Sequence, residues 1–177
     1  MGLELYECSI VENTKAPIVF HILQDDTLNE MNKNKLSLIA DNSGNGIEFH
    51  HFNPDIFGSL ADSMNRFTIG TMFRIMLPDI MPDLKKIIYL DSDLFVNTDI
   101  EELWNLNIDN FCLAAAPDCS TIRNWGTPYA VAAGQTTRDR YFNAGVLCMN
   151  LDNIRKNGSL FQQVMDYLND NPRTWLP

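Results

Sequence analysis

Two aspartates two positions apart, Asp91 and Asp93, have the residue type and spacing that point most directly to chemistry. Asp91 ends the apolar run 85–91, which predicts a strand buried on both faces, and Asp93 follows two residues later. Ligands of open α/β sheets bind at the carboxyl ends of strands, and on extended backbone the two carboxylates would project to the same side. Such a pair repels unless a cation lies between its members, and Mg²⁺ or Mn²⁺ would leave coordination positions open for substrate phosphates. An ordinary Asp-rich turn after a strand is the alternative.

Arg74 and the segment from Asn143 to Gly145 could serve the same chemistry. Arg74 lies in an apolar helical stretch, so its guanidinium should meet an anion, which is either a structural carboxylate or a phosphate. Asn143 offers donors and acceptors to hydroxyl groups, and Gly145 would let a ligand approach the backbone of an apolar strand closely. A β-bulge is the alternative explanation of a glycine at that position.

The chain alternates β-rich runs with helical stretches, which predicts an α/β layer structure. Apolar runs predict strands at 17–23, 47–52, 85–91, 111–116 and 142–151. Apolar spacing predicts helices at 3–13, at 68–77 before Pro78, and across Leu160, Phe161, Val164, Met165 and Leu168. Two capping boxes, Thr27 with Glu30 and Thr98 with Glu101, predict helix starts, and the first of these helices should end near Gly44. The segment 118–141 is long enough for a functional loop.

Composition and charge argue against several classes of function. The 177 residues include 13 basic and 23 acidic side chains, which gives a net charge of −10. The length predicts one domain over 1–177, and the acidic balance argues against a nucleic-acid partner. No apolar run reaches the ~18 residues of a membrane span, and three glutamates before Thr14 argue against a signal peptide, so we expect a cytoplasmic protein without a transmembrane segment. The three histidines, His21, His50 and His51, are interpreted as strand-surface residues and not as metal ligands.

Three segments carry a resemblance to a known family. They are Thr71-Met-Phe-Arg74, Lys86-Ile-Ile-Tyr-Leu-Asp-Ser-Asp-Leu94 and Tyr141-Phe-Asn-Ala-Gly-Val-Leu147. By these segments, by their order and separation, and by the Leu103-Trp104 pair, nearly the whole chain resembles glycosyltransferase family 8. That family comprises retaining sugar-nucleotide transferases, including bacterial lipopolysaccharide galactosyltransferases and glycogenin.

The resemblance implies a nucleotide-diphospho-sugar transferase fold (GT-A, Rossmann-like), with a mixed, mostly parallel sheet flanked by helices. It implies a UDP-hexose donor, a saccharide or glycolipid acceptor, and Mn²⁺ or Mg²⁺ as cofactor. Asp91 and Asp93 match the metal-binding acidic pair of the family. The matching donor-binding positions are Arg74, Ser92, Asp118, Asn143, Ala144 and Gly145. A role in lipopolysaccharide biosynthesis would place the enzyme in the cytoplasm, peripheral at the inner face of the membrane.

Two parts of the family pattern have no counterpart in this sequence. One is a first strand that ends in Ala-x-Asp-x-x-Tyr and holds uracil and ribose. The other is a C-terminal segment with Asp-Gln-Asp and a later His-x-x-Gly-x-x-Lys. We therefore expect a partial domain, in which the lack of a central strand exposes apolar edges and favours self-association. The alternatives to an active transferase are a non-catalytic fragment that keeps the fold and a weak cation site, and an Asp-nucleophile phosphatase, which would want Thr or Val in place of Phe95.

Overall fold

The structure is a computed structural model that describes residues 3–57, 66–117 and 142–170. Its helices are α1 Leu3–Asn13, α2 Glu30–Asn42, α3 Arg66–Ile80, α4 Glu101–Trp104, α5 Leu151–Arg155 and α6 Leu160–Asp170, with a 3-10 helix at Pro54–Phe57. Its strands are β1 Val19–Gln24, β2 Gly46–His51, β3 Lys86–Leu90, β4 Leu113–Pro117 and β5 Phe142–Asn150. The predicted loop 118–141, with Asp118, lies outside the described residues. None of the described helices combines the length and the apolar character needed to cross a bilayer.

The described strands form two sheets. β1 and β2 are parallel and are joined through α2 in a β–α–β unit. β5 lies between β3 and β4 and is antiparallel to both. Among the described strands one sheet is parallel and the other is antiparallel, where one mixed, mostly parallel sheet was predicted. An apolar run indicates how deeply a strand is buried, whereas the connections between strands determine its direction.

The described residues belong to two compact units. The first unit takes its residues from Met1–Arg74 and Asp91–Leu106, and the second takes its residues from Ile75–Leu90 and Asn107–Pro177. Buried apolar residues of the first unit are Ile10, Phe20, Leu36, Ala40, Phe52, Met72 and Val96. Those of the second unit are Met76, Leu77, Met81, Ile108, Leu147, Cys148, Met149, Leu151 and Ile154. The single domain expected from the chain length stays a prediction.

The ends of α2 show which local signals operate. The helix is capped by Asn29, whose side chain accepts a hydrogen bond from the Asn32 N–H, and not by Thr27 as predicted. Thr27 instead donates from both its backbone N–H and its hydroxyl to the Asp25 carboxylate. At the other end Gly44 adopts a φ of 73°, and the N–H groups of residues 44 and 45 bond back to the last helical turn, which is a Schellman motif. The predicted helix end near Gly44 is therefore confirmed, whereas its predicted start is wrong.

The helix start predicted from the second capping box, Thr98 with Glu101, is also wrong. α4 begins at Glu101 after Ile100, which makes no side-chain capping bond. The Asp99 carboxylate accepts a hydrogen bond from the Glu101 N–H two residues on. This short-range bond gives the helix start a partner without the hydroxyl of Thr98.

The C-terminal end of α3 lies beyond the predicted stop. The helix continues to Ile80 and includes Pro78 in its last turn. The guanidinium of Arg155 donates to the backbone carbonyls of Pro78 and Met81 (3.0 and 3.1 Å) and to that of Leu84 (2.7 Å). These carbonyls lie where a helix end and the turn after it leave acceptors without intrahelical partners. Arg155 therefore fixes the segment that leads from α3 into β3.

Candidate functional site

The acidic pair lies directly after β3. Every residue of β3 is half-buried, and not fully buried as predicted. Among the described strands β3 pairs only with β5. Asp91 is half-buried, whereas Ser92 and Asp93 are exposed and form a turn. The turn replaces the extended backbone assumed from the sequence, so strand alternation does not determine where the Asp93 carboxylate points. Asp93 is accessible to a ligand from solvent.

Arg74 of α3 forms an ion pair with Asp91. Its Nη2 group donates to Asp91 Oδ1 across 3.1 Å, and the side chains of the arginine and the aspartate are 12% and 34% exposed. Because the guanidinium is largely shielded from water, this charge-assisted hydrogen bond is stronger than an ion pair on the open surface. One anion that Arg74 meets is therefore one of the two predicted metal ligands.

An aromatic contact holds the turn of α3 that carries this arginine. The rings of Phe73 and Phe52 have centroids 4.1 Å apart and are tilted by 49°. Phe52 follows β2 and is buried. The contact packs the residue next to Arg74 against the residue that follows β2.

A cavity of about 360 Å³ lies in the first unit. Phe73 and Ser92 line it, and Gln24, Asp25 and Thr27 line it at the carboxyl end of β1. The Gln24 side chain is 7% exposed, and within the described part of the chain its Oε1 accepts no hydrogen bond. A buried acceptor without a partner costs free energy, so Gln24 marks a polar position beside the cavity. Sequence reasoning missed this cavity, although a polar run directly after a strand was a usable signal.

The predicted sugar-pocket residues lie at the start of β5, in the second unit. Asn143 is exposed, and its Oδ1 accepts a hydrogen bond from the Gly145 N–H across 2.8 Å. Val146, the next residue, pairs with Leu90 at the end of β3. The side-chain oxygen of Asn143 is therefore already hydrogen-bonded within its own strand. Ala144 and Gly145 are half-buried.

A second group of ligating side chains lies on the parallel sheet. His21 Nδ1 is 3.0 Å from His50 Nε2 and 3.3 Å from Glu48 Oε2. Across residues 3–57, 66–117 and 142–170, this is the one group of three His, Cys, Asp or Glu side chains whose ligand atoms come together. Burial lowers the pKa of His21, the Glu48 carboxylate opposes this shift, and His50 adds to it. His51 is exposed and pairs with Asp26 instead, at 2.8 Å.

Comparison with known proteins identifies a family whose model matches most of this chain. The family model described as glycosyl transferase family 8 matches residues 7–176. A protein of Haemophilus influenzae named as a glycosyltransferase is 31% identical over 161 residues, which are 91% of this chain and 48% of that protein. The galacturonosyltransferase-like 4 protein of Arabidopsis thaliana is 37% identical over 132 residues, 68% of this chain and 37% of that protein. The chain thus spans less than half the length of these two relatives.

A solved structure is similar over nearly the whole chain. The crystal structure of the galactosyltransferase LgtC in complex with donor and acceptor sugar analogs superimposes with a TM-score of 0.76 at 26% identity. The match covers 98% of this chain and 63% of the LgtC chain. The arrangement of helices and strands described above is therefore one that a sugar transferase also adopts.

Proposed function

Because the chain belongs to glycosyl transferase family 8, we propose that it transfers a hexose from a UDP-sugar to a saccharide or glycolipid acceptor, with retention of configuration. Family membership contradicts the phosphatase hypothesis, which rested on the acidic pair alone. The predicted fold class, the α/β nucleotide-diphospho-sugar transferase (GT-A) fold, is confirmed by the likeness to LgtC.

The contact between Arg74 and Asp91 is the observation that carries the proposal. It supports a site in which a phosphate-binding guanidinium and a cation-binding carboxylate are neighbours. Hexose transfer leaves UDP behind, and negative charge develops on the departing diphosphate. We infer that the Arg74 guanidinium donates to diphosphate oxygens in the donor complex, in exchange for its bond to Asp91.

The donor set of the acidic pair fits Mn²⁺ or Mg²⁺. Asp91 and Asp93 supply hard carboxylate oxygens, and the exposed turn leaves Asp93 accessible. Two protein ligands leave coordination positions for phosphate oxygens. When bound, the cation supplies Lewis-acid stabilisation of the charge on the leaving diphosphate.

The other site residues stay predictions from the family resemblance. Ser92 and Asp118 are expected to contact the donor, and Asn143, Ala144 and Gly145 are expected to contact its sugar. Action on a glycolipid in lipopolysaccharide biosynthesis at the inner face of the membrane is likewise a proposal.

A thermal-shift experiment tests the cation site. Mn²⁺ added with UDP should raise the Tm, since a hundredfold excess over the Kd contributes about 2.7 kcal/mol to stability. Asp93→Ala should abolish the rise, because it removes one of two carboxylate ligands. Asp83→Ala is the matched control, since Asp83 is an exposed aspartate that lies before β3. A rise that survives in Asp93→Ala, or that also disappears in Asp83→Ala, would contradict the assignment.

Turnover separates the proposed transferase from a non-catalytic chain. The chain spans less than half the length of the two relatives described above, and the second candidate is a chain that keeps the fold and a cation site without turnover. Release of UDP from UDP-glucose or UDP-galactose should depend on Mn²⁺ and on Asp93. A chain that binds Mn²⁺ and UDP but releases no UDP would be a binding module with the same site.

A further inference from the structure

The parallel register of β1 and β2 gathers three ligating side chains on one face of the sheet. His21 is the register partner of Glu48, and His50 lies two residues further along β2 than Glu48. Side chains two apart on a strand point to the same face, so all three share one face of the β1–β2 pair. His51 points to the opposite face and takes no part in the group.

The distances within this group match a metal coordination sphere. The pairwise separations of His21 Nδ1, His50 Nε2 and Glu48 Oε2 are 3.0, 3.3 and 3.7 Å. A tetrahedral ion with bonds of about 2.0–2.1 Å to nitrogen and oxygen separates its ligand atoms by about 3.3–3.4 Å. Changes of a few tenths of an ångström in these separations would therefore be enough to form the coordination sphere.

We propose that His21, Glu48 and His50 bind a zinc-class divalent cation, with water as the fourth ligand. The fourth position is accessible because the Glu48 side chain is 60% exposed, whereas His21 and His50 are 14% and 26% exposed. Two imidazoles and one carboxylate form a borderline N/O donor set, which prefers Zn²⁺ over Mg²⁺ or Mn²⁺. The proposal goes beyond hexose transfer and does not depend on it.

The site would join the two strands that it lies on. A two-stranded sheet is marginally stable by itself, and a cation held by His21 of β1 and by Glu48 and His50 of β2 would cross-link the pair. The expected role is therefore structural, at the sheet whose β1 ends at the cavity-lining Gln24. A hydrogen-bonded His–His–Glu group that binds no metal is the competing explanation of the same distances.

Calorimetric titration of the full chain with Zn²⁺ tests the proposal. In Asp93→Ala, which lacks the divalent-cation site proposed for the acidic pair, we expect one equivalent of Zn²⁺ to bind and the Tm to rise. Glu48→Gln and His50→Gln should each weaken Zn²⁺ binding by more than about tenfold. Even the loss of a residue that only hydrogen-bonds to a metal ligand lowers metal affinity by ~10–100-fold. His51→Gln is the matched control, a histidine on the same strand outside the group, and should bind as the unmodified chain does.

Two further measurements distinguish loss of metal binding from loss of the fold, and this metal site from the proposed transferase site. Glu48 is the most exposed of the three ligands, so Glu48→Gln should stay folded even if a histidine variant does not. Co²⁺ should give the intense visible bands of a tetrahedral site in the unmodified chain and in Asp93→Ala, and Mg²⁺ should not displace it. No Zn²⁺ binding, or binding that Glu48→Gln and His50→Gln leave unchanged, would overturn the proposal. Loss of the bands in Asp93→Ala would overturn it too, by assigning the metal to the acidic pair.

Discussion

At the scale of one residue, a substitution of Arg74 distinguishes a structural role of its side chain from a ligand-binding role. If it binds the donor diphosphate, Arg74→Lys should weaken UDP binding by about tenfold, or about 1.4 kcal/mol, because an ammonium group lacks the planar fork of a guanidinium. The fold should remain, since a lysine can still pair with Asp91. Calorimetry with UDP and a thermal melt measure the two effects. Loss of the fold with unchanged UDP affinity in the surviving protein would make the ion pair structural.

Glu7 of α1 gives the stability of the protein a pH dependence. Its side chain is 1% exposed, neither carboxylate oxygen has a hydrogen-bond partner within the described residues, and burial raises its pKa from 4.5 to about 7. The folded state therefore holds this proton more tightly than the unfolded chain. The associated stability is fully present below pH 4.5 and is lost as the pH rises to about 7, by on the order of 3 kcal/mol.

Urea melts at pH 5 and pH 8 check this expectation. Glu7→Gln should reduce the difference in unfolding free energy between the two pH values, since an amide does not ionise. Glu12→Gln, an exposed glutamate on the same helix, should leave the difference as it is. Equal pH dependence in the unmodified chain and in Glu7→Gln would show that Glu7 is not the titrating group.

At the scale of elements, Arg155 of α5 connects the end of α3 to the start of β3. Its guanidinium serves three backbone carbonyls and also pairs with Asp152 at 2.7 Å. Arg155→Ala should therefore lower the free energy of unfolding by about 2 to 4 kcal/mol, because hydrogen bonds to charged groups contribute more than neutral ones. Lys156→Ala, an exposed neighbour, should cost no more than about 0.5 kcal/mol. Similar losses in both variants would mean that the carbonyl contacts contribute little.

At the scale of the whole molecule, the edge of β1 that has no partner among the described strands predicts self-association. Among the described strands β1 pairs on one side only, with β2, and carries Val19 with 54% exposure. An edge with apolar side chains offers unpaired backbone groups to a second copy. Sedimentation velocity should show association that rises with protein concentration and that Val19→Lys reduces. Met31→Lys, at an exposed helical position of α2, is the control, and an equal effect of both variants would point to general surface hydrophobicity.

The sequence by itself determined the strands, the approximate positions of the longer helices, and the family. α1 occupies the predicted residues 3–13, and the five predicted strands lie within two residues of those observed, because apolar periodicity and terminal glycines act over a few neighbouring residues. The acidic pair could also be identified from the sequence, since a strand followed by two aspartates is a local pattern. Helix starts were less reliable because Asn29 and Asp99 compete with hydroxyl caps for the same N–H groups.

Only the tertiary structure decided which distant side chains meet. Arg74 could have paired with any anion, and it is the packing of α3 that brings it to Asp91. His21 and His50 were each unremarkable surface positions in the sequence, and the parallel register places them 3.0 Å apart. The distance along the chain between His21 and His50 does not by itself give the register of their strands, because register depends on how two strands bury their apolar faces and on the connection between them. The candidate sites therefore contain residues that the sequence could name and contacts that the fold alone provides.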